Sequence, residues 1–465
     1  MTTQTFTATT KHLQADLLTP VGIYLRLRDA FPQSILLECT EYNSRSNAFS
    51  YICANPMVGI EVDNEGVFIK QNGYRTLFSS INKTVDGVSQ FTASIRIEGN
   101  IQHDLMPGLF GFTTYDAINL FDNVDIAVDK SKNIPYIKYD LYQIVIAFNH
   151  FTNTLSITEL LPHNAESTMN RVINSLNNKN STPYPFTLKS NEQSNTSDDQ
   201  YKELVKKGKH YCAIGDVFQI VLSRQFTRSY QGDEFNVYRA LRTINPSPYL
   251  FFFDYSRYKL FGSSPEAQLK VGDGEAIINP IAGTTKKTGD ALNDALSLTE
   301  MLNSVKENSE HAMLVDLARN DLSRSCSEVK VDSYKEVHSY SHLFHLVSTV
   351  KGKIEGNTKP YQLLADTSPA GTLSGAPKHR AVKLISELEG TPRGFYGGSI
   401  GFMGLNGNLN HAIMIRSFCC YKNVITYQAG AGVVIGSTPE GELAEVNNKI
   451  AALRQALEQA GLNDY

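Results

Sequence analysis

The stretch YLFFFDYSRYKLFGSS, residues Tyr249 to Ser264, is dense in aromatic and aliphatic residues and predicts β-structure. Outward from it, beyond about residue 201, helical segments and long apolar runs alternate without the regular strand and helix order of a doubly wound sheet. The sequence therefore predicts an α+β fold. The other strand-like runs are VFQIVLSRQF (217–226), FHLVSTVKGKI (344–354), SIGFMG (399–404), HAIMIRSFCCY (411–421) and VITYQAGAGVVIG (424–436).

The bulk composition is that of a globular, soluble chain. Of 465 residues, 41% are hydrophobic, and the net charge is −4 with both signs interspersed, so no basic block indicates nucleic-acid or membrane binding. No run of about 18 apolar residues and no signal-peptide pattern occurs. The six cysteines form no CxxC motif, which favours reduced, buried thiols. We expect a cytoplasmic protein.

A polar segment divides the sequence. Residues 1–162 have the pattern of short strands and turns, which we interpret as an N-terminal lobe. Residues 176–200 are rich in Asn, Ser, Thr and Pro, the composition of a linker or long surface loop. We therefore predict a linker at 163–200 and a catalytic domain at 201–465.

Two helical segments place carboxylates among apolar residues. In ENSEHAMLVDLARND (307–321), Glu310 shares its helix face with Met313, Leu314 and Leu317. Because an isolated buried carboxylate is costly, it should have a cationic partner. In GELAEVNNKIAALRQAL (441–457), a similar stripe is formed by Glu442, Glu445 and Lys449. The two helices could bind Mg²⁺ between them, although each stripe alone is equally consistent with a solvated acidic face.

Four polar residues occupy positions where apolar ones are expected. Gln219 alternates with Val217 on one strand, and Arg416 interrupts an apolar run, where it could bind a carboxylate or form an internal salt bridge. His345 lies in FHLVSTV and is consistent with a core histidine or a site residue. Glu266 follows a hydrophobic strand and a turn, a position often taken by catalytic carboxylates.

Three glycine-containing segments could bring the backbone close to an anion: PIAGT (280–284), SPAGTLSGAPK (368–378) and AGAGVVIGS (429–437). The last is not a dinucleotide-binding fingerprint, because apolar residues continue the strand and the helix begins only after Ser437, Thr438 and Pro439. Ser437, with Glu440 three residues later, is predicted to cap that helix.

Taken together, these segments resemble the chorismate-utilising enzymes, and within that family the component I subunits of anthranilate synthases. The resemblance implies an α+β fold of two large antiparallel β-sheets packed as a sandwich, with helices outside. It extends through nearly the whole chain on these motifs: DLLTPVGIYLRL, LLEC, GDVFQIVLSRQF, NPSPYLFFF, SSPEAQL, PIAGT, SEHAMLVDLARNDLSR, HLVSTVKG, SPAGTLSGAPKHRA, GFYGGSIGF, IMIRSF and AGAGVVIGSTPEGELAEVNNK.

The resemblance also implies a site. Mg²⁺ would be held by Glu310 and Glu445, with Glu442 as a further candidate ligand, and would bridge to the ring carboxylate of chorismate. Glu266 would protonate the departing C4 hydroxyl, and His345 would assist removal of the C2 proton. The substrate-binding positions implied by the resemblance are Gly283, Thr284, Thr372, Tyr396, Arg416, Gly430, Ala431, Gly432 and Lys449.

Two positions select the reaction within the family. Relatives that activate water carry a lysine where this chain has Gln219, and a neutral amide cannot act as that base. Relatives that form a covalent intermediate carry a lysine where this chain has Ala282, which has no nucleophilic atom. The expected reaction is therefore attack of ammonia at C2 and formation of anthranilate. Aminodeoxychorismate synthase and a non-catalytic tryptophan-sensing or scaffold protein remain alternatives.

The resemblance further implies regulation and a partner. A tryptophan feedback site is expected in the N-terminal lobe, at residues matching Glu38, Cys39, Pro248, Tyr249 and Leu250. Cys39 replaces a serine of many relatives, which weakens a hydrogen bond. The chain contains no glutaminase segment, so ammonia derived from glutamine would come from a separate amidotransferase subunit, and we expect a hetero-oligomer.

Overall fold

The computed structural model describes residues 3–39, 48–99, 107–130, 132–178, 184–339, 343–356 and 358–462. The strands of the N-terminal part are β1 (Gln4–Gln14), β2 (Ile35–Cys39), β3 (Phe49–Asp63), β4 (Gly66–Gln71), β5 (Tyr74–Ser79), β6 (Ile95–Glu98), β7 (Gly108–Thr113), β8 (Ile137–Asn149), β9 (Thr154–Pro162), β10 (Phe186–Leu188) and β11 (Gln193–Ser194).

The C-terminal part begins its strands at the one that carries Gln219. They are β12 (Gln219–Gly232), β13 (Tyr249–Asp254), β14 (Tyr258–Ser264), β15 (Ala267–Gly272), β16 (Glu275–Ile278), β17 (Ile281–Lys286), β18 (Cys326–Ser339), β19 (Leu343–Ile354), β20 (Gly375–Ala376), β21 (Ser399–Gly404), β22 (Leu409–Ile413), β23 (Ser417–Tyr421) and β24 (Val424–Val433).

The helices are distributed along the whole chain. They are α1 (Pro20–Arg28), α2 (Thr84–Ala93), α3 (Met169–Asn177), α4 (Asp198–Ala213), α5 (Phe235–Ile244), α6 (Ala291–Asn303), α7 (Val305–Leu322), α8 (Pro360–Thr367), α9 (Lys378–Glu389) and α10 (Pro439–Leu462), with short 3₁₀ turns at Ile81–Lys83, Tyr115–Leu120 and Gly371–Leu373.

The prediction of an α+β fold built on antiparallel sheet is confirmed. Within the described ranges, every strand pairing is antiparallel except that of β1 with β6. Pairing of β2 with β13 and of β7 with β21 joins the first 162 residues to the C-terminal part through continuous backbone hydrogen bonds. The two parts therefore share sheet structure, and the packed core extends across both.

The segment 163–200 contains regular structure. Its helix α3 packs on α1, and its strand β10 pairs with the far end of β12. The side chains of Val172 and Leu176 are buried in the same core as α4 and β12. Composition suggested a linker because polar residues predominate, but a few apolar side chains at helical spacing are enough to bind this segment to the core.

The stretch Tyr249–Ser264 forms the hairpin β13–β14, with Tyr249 paired to Ser264. Its turn contains Ser256, whose φ is +62°, and the Ser256 amide donates a hydrogen bond to the Asp254 carboxylate at 2.6 Å. Strand β13 also pairs with β2, and β14 pairs with β23, so the hairpin lies within the sheet rather than at its edge. Its near-continuous apolar sequence follows from burial on both faces.

The run HAIMIRSFCCY does not form one strand. It divides into β22 and β23, and Arg416 lies in the bend between them with a φ of +47°. Strand β22 pairs with β15, whereas β23 pairs with β14, so the chain changes direction within the sheet at this point. The apolar pattern concealed the bend because residues on both sides of it are buried.

The cap predicted for α10 is displaced by one residue. Thr438 Oγ1 accepts the hydrogen bond from the Gly441 amide at 3.1 Å, whereas Ser437 Oγ accepts one from the Val434 amide at 3.0 Å. Thr438 therefore caps the helix, and Ser437 closes the turn that precedes it.

All six cysteines are free thiols, as their spacing in the sequence predicts, and five of them are buried. None of the helices in the described ranges combines the length and apolarity needed to cross a bilayer.

Candidate active site

Helix α7 places Glu310 against strand β12. Ser304 caps the helix, accepting a hydrogen bond from the Glu307 amide, and Glu310 follows after less than two turns. The Gln219 side-chain amide donates a hydrogen bond to Glu310 Oε1 at 2.8 Å. Gly432 passes beside this pair, and a Cβ there would approach Gln219 Nε2 to 2.4 Å. A side chain at this position would displace the Gln219 amide from its contact with Glu310.

Helix α10 contributes the second carboxylate. Lys449 Nζ lies 2.7 Å from Glu445 Oε1 and donates a hydrogen bond to the Gly430 carbonyl at 2.9 Å. The side chains of Glu445 and Lys449 are 40% and 43% exposed, so this side of the site is open to solvent. Helix α10 is thus fixed against the backbone of β24, next to Gly432.

Negative charge is concentrated between α7 and α10. The pKa of Glu310 is raised above its ordinary value, mainly by burial and further by the charges of Glu307 and Glu445. A carboxylate whose ionisation is disfavoured, as that of Glu310 is, would be stabilised by a hard cation with oxygen ligands. Glu310 and Glu445, which Lys449 contacts, are therefore the candidate carboxylates for a Mg²⁺ ion.

The third predicted ligand, Glu442, lies one turn before Glu445 on α10 and is buried, whereas the Glu445 side chain is 40% exposed. No cluster of three His, Cys, Asp or Glu side chains with metal-binding geometry occurs in the described part of the chain. A role for Glu442 as a metal ligand stays a prediction.

Glu266 lies between β14 and β15 and is buried. Its carboxylate accepts a hydrogen bond from Thr372 Oγ1 at 3.2 Å, and its carbonyl accepts one from the Ile413 amide at 3.0 Å. Burial raises the pKa of Glu266 from 4.5 to about 8, while Thr372 and the Lys449 charge lower it less. At neutral pH this carboxyl group is therefore mainly protonated and can donate a proton. It borders a cavity of about 30 Å³, room for a water molecule.

His345 is placed on β19 beside the PIAGT segment. It faces Thr284 across the β17–β19 pair and makes a hydrogen bond with the backbone of Gly283, whose φ is +73°. Burial, and to a smaller extent the charge of Arg416, lowers the pKa of His345 from 6.5 to about 4. The imidazole is neutral at pH 7 and can accept a proton. The side chain of Thr284 lies outside the described part of the structure.

Arg416 and Tyr396 are two further predicted substrate-binding residues. Arg416 Nη1 donates a hydrogen bond to Asn245 Oδ1 at 2.8 Å, and burial lowers the pKa of its guanidinium. No described carboxylate forms an ion pair with it, so the internal salt bridge that the sequence left open is not observed. Tyr396 is buried and bonded to the backbone of Gly430. Arg416 therefore retains donors for an anion.

The structure brings together Gln219, Glu310, Glu445, Lys449 and Glu266 through these contacts. Ala431 differs from its neighbours: opposite Leu222 in the β12–β24 register, its side chain is part of the hydrophobic core. Only its backbone is available to a ligand at this face, because alternate residues of a strand point to opposite sides.

Arg393 was not among the predicted site residues, yet it holds several parts of the site together. Its guanidinium forms a buried ion pair with Glu389 at 2.6 Å and donates hydrogen bonds to the carbonyls of Leu373 and Val221. Its charge also lies 5.7 Å from the ring centroid of Tyr396. One signal was present in the sequence, since this arginine stands three residues before Tyr396 in a motif otherwise made of glycine, proline and aromatic residues.

The predicted feedback segments meet in the sheet. Glu38 and Cys39 of β2 lie opposite Leu250 and Tyr249 of β13, and Pro248 directly precedes that strand. The Glu38 carboxylate already accepts hydrogen bonds from Tyr238 at 2.5 Å and from both Nε and Nη2 of Arg242. Glu38 is therefore held rigidly before any ligand binds.

A large cavity, about 1170 Å³, lies beside Cys39 and away from the carboxylates. Phe49, Tyr51, Phe110 and Phe402 form part of its wall, and the rings of Tyr51 and Phe402 are 5.4 Å apart. The cavity wall also includes many polar residues and glycines, and of the predicted feedback residues only Cys39 lines it. The site at β12, α7 and α10 is polar and charged, and the region at β2 borders a separate cavity of mixed lining.

The fold and these side chains define a class. Residues 37–455 match the family profile described as chorismate binding enzyme, and the chain belongs to that family. Among curated relatives, anthranilate synthase component 1 of Aquifex aeolicus is 33% identical, with 96% of this chain and 94% of the relative covered. The protein of the same name from Thermus thermophilus is 34% identical, with 97% of each chain covered.

Solved structures of related enzymes share the fold of this chain. Anthranilate synthase component I from Streptococcus pneumoniae superposes with a TM-score of 0.76 at 29% identity, covering 95% of this chain and 99% of that one. The menaquinone-specific isochorismate synthase from Escherichia coli superposes with a TM-score of 0.73 at 17% identity, covering 98% of this chain and 96% of that one, which demonstrates the shared fold alone.

Proposed function

We propose that this chain converts chorismate and ammonia into anthranilate and pyruvate, the first step from chorismate toward tryptophan. The observation that carries the proposal is the buried Glu266 carboxyl group, hydrogen-bonded to Thr372 and with a pKa raised by burial to about 8, in a family member with Gln219 beside Glu310 and with Ala282 at the other position that selects the nucleophile. Full-length similarity to anthranilate synthase component 1 proteins supports it.

Glu310 and Glu445 would hold Mg²⁺, which when bound would neutralise the ring carboxylate of chorismate. Arg416, whose guanidinium keeps donors free beside Asn245, would bind the enolpyruvyl carboxylate together with the Tyr396 hydroxyl. The Gly430 and Gly432 backbone, which the absence of side chains leaves accessible, would line the substrate together with Gly283. These contacts fix C2 and C4 relative to the acid and the base.

Proton transfers follow from the two shifted pKa values. Ammonia forms a bond to C2 while Glu266 donates its proton to the departing C4 hydroxyl, which leaves as water, and the new C2 ammonium group then returns one proton to the Glu266 carboxylate. Neutral His345 then accepts the proton from C2, and the C3–O bond to the enolpyruvyl group breaks, leaving the aromatic ring. The enolpyruvate released takes up a proton to become pyruvate. Thr372 holds the Glu266 carboxyl group in position. Lys449 holds the substrate side of α10 against the Gly430 carbonyl.

Product identification tests the proposal. The purified chain is incubated with chorismate, Mg²⁺ and an ammonium salt at alkaline pH, and the product is identified by fluorescence and mass spectrometry. Anthranilate is expected. Formation of 4-amino-4-deoxychorismate instead would assign the alternative amination at C4, and tryptophan binding without any turnover would assign the sensing or scaffold role.

The proposal extends to the ammonia source and the compartment. Because the component 1 relatives are named as one part of an assembly, we infer that a separate glutamine amidotransferase subunit delivers ammonia and that the working enzyme is a hetero-oligomer. Six free cysteines support a reducing compartment, the cytoplasm.

Replacing Gln219 by lysine is expected to introduce water chemistry. Gln219 contacts Glu310, so a lysine amine there would be held protonated until Mg²⁺ neutralises that carboxylate, after which its deprotonated fraction can act as a base. With saturating Mg²⁺ and no ammonia, chromatography should detect isochorismate or salicylate as a minor product, and anthranilate formation with ammonia should fall. Gln219→Met, of similar length without a base, should give no hydroxylated product. A folded, chorismate-binding lysine variant without such a product would remove Gln219 from the C2 face.

We further propose that tryptophan inhibits by binding near β2 and β13, where a cavity with aromatic and polar walls opens beside Cys39. Glu38→Ala should raise the tryptophan concentration required for half-maximal inhibition at least tenfold, while activity without tryptophan stays within about twofold. Removing the Glu38 carboxylate takes one partner from the Arg242 guanidinium, and because that side chain is 39% exposed, water can hydrate it.

The control for this prediction is Glu192→Ala, which removes another arginine-bound carboxylate but lies away from β2. Because linkage is reciprocal, saturating chorismate should weaken tryptophan binding by the same factor by which tryptophan weakens chorismate binding. Calorimetry that finds tryptophan affinity independent of chorismate would contradict the coupling.

A further inference from the structure

Large apolar side chains are exposed at the ends of the elements that build the carboxylate site. Phe218 directly precedes Gln219 and is 75% exposed, and Ile435, just after β24 and three residues from Gly432, is 67% exposed. Val305, the first residue of α7, is 80% exposed, and Ile214 at the end of α4 is 59% exposed. We call Ile214, Phe218, Val305 and Ile435 the mouth patch.

The mouth-patch residues lie at the ends of neighbouring elements, close to the Gln219–Glu310 contact. Ile220 and Val433 form the last pair of the β12–β24 ladder, and Phe218 and Ile435 each lie two residues beyond that pair, at the same end of the two strands. Val305 precedes Glu310 by five residues, about 8 Å along a helix, and Glu310 contacts Gln219. The mouth patch therefore surrounds the end of the sheet at which the Gln219–Glu310 contact is made.

The patch is held in shape by local hydrogen bonds. The Phe218 amide bonds to the Ala376 carbonyl at 2.7 Å. The amides of Asp216 and Val217 both bond to the Tyr211 carbonyl, which fixes the connection from α4 to β12. The turn carrying Ile435 is closed by the Ser437 hydroxyl. A fixed apolar surface loses little conformational entropy on binding, which favours association.

We infer that the mouth patch is the docking surface for the glutamine-hydrolysing subunit that supplies ammonia. This inference rests on the proposed function. Exposed apolar side chains grouped on one part of a surface mark binding sites in soluble proteins, and here each of the four lies within five residues of Gln219, Gly432 or Glu310 along the chain. A subunit seated on this end of β12 and β24 would cover the open side of the site, releasing ammonia next to Gln219 rather than into solvent. The component 1 names of the relatives support a second component.

The test separates delivery of ammonia from its use. The double variant Phe218→Ser/Ile435→Ser is combined with the purified glutamine amidotransferase subunit of the same organism. Anthranilate formation is measured with glutamine as the subunit is titrated, and separately with an ammonium salt and no subunit. The control is Leu17→Ser/Phe151→Ser, which removes two exposed apolar side chains, 90% and 58% exposed, from the N-terminal part.

We expect the subunit concentration for half-maximal glutamine-dependent activity to rise at least tenfold in the mouth-patch variant, while ammonium-dependent activity stays within about twofold and the control matches the wild type. An unchanged subunit titration would overturn the inference. So would equal loss with glutamine and ammonium, or a homodimer of the free chain that the variant dissociates in sedimentation, since these assign the patch to the site itself or to a second copy. Failure of the wild type with ammonium would instead reject the proposed function.

Discussion

Glu310→Gln and Glu445→Gln are each expected to lower anthranilate formation by roughly 10²-fold to 10³-fold or more, the usual effect of losing a group that stabilises developing charge. Each change removes one of two carboxylates available to Mg²⁺ and keeps the side-chain shape. Activity is measured over a range of Mg²⁺ concentrations, beside a thermal melt.

The thermal melt distinguishes loss of the ion from loss of the fold. Burial and the charge of Glu445 disfavour ionisation of Glu310, as the raised pKa of Glu310 indicates, so its neutral amide replacement should leave the melting temperature unchanged or raise it. Asp316→Asn on α7 and Glu458→Gln on α10 serve as matched controls on exposed turns of the same helices. A variant with wild-type activity at limiting Mg²⁺ would show that its carboxylate is not a ligand.

Glu266→Gln is expected to reduce turnover by roughly 10²-fold to 10⁴-fold, the contribution typical of a general acid. Because burial raises the pKa of Glu266 to about 8, the protonated, active form is lost at higher pH. At constant free ammonia, kcat/KM for chorismate should therefore fall above about pH 8 in the wild type. The residual activity of the variant should lack that decline, and a decline that persists unchanged would assign the ionisation to another group.

The same carboxyl group makes stability depend on pH. In the native state Glu266 holds its proton up to about pH 8, whereas in the unfolded chain it releases the proton near the ordinary value of 4.5. Its favourable contribution is thus complete below pH 4.5 and is lost as the pH rises through 8. Each pH unit between the two pKa values corresponds to about 1.4 kcal/mol. The melting temperature of Glu266→Gln should therefore exceed that of the wild type by an amount that grows from pH 5 to 8.

Glu275→Gln is the control for this pH dependence, because that carboxylate is half-exposed on the neighbouring strand. Its melting temperature should follow the wild type across the same pH range. Parallel curves for the wild type and Glu266→Gln would show that the carboxyl group is not protonated in the native protein.

Much of the site could be predicted from the sequence because its residues break local patterns. Glu310 on an apolar helix face, Gln219 on a buried strand and Glu266 after a strand each carry a polar group where burial is expected, and such a group requires a partner or a function. The motifs around them then identified the family. Local periodicity alone also predicted the α+β class, since strand and helix patterns are properties of short segments.

Tertiary structure decided what depends on packing between distant segments. The sequence could not show that Glu442 is buried and Glu445 partly exposed, because that difference is set by the elements that pack on α10. It could not place Arg416 in a bend, because β22 and β23 are both buried and are distinguished only by pairing with β15 and β14. Arg393 became visible only as the donor joining Leu373, Val221 and Glu389.

The sequence by itself determined the α+β class, the family and the chemical types available at the site, because these follow from residue identity and short-range pattern. Only the tertiary structure decided that Val172 and Leu176 of α3 pack into the core, that burial raises the pKa of Glu266 to about 8 and that burial lowers the pKa of His345 to about 4. The physical reason is that a pKa depends on burial and on charges brought close by long-range contacts, and neither quantity is contained in the local sequence.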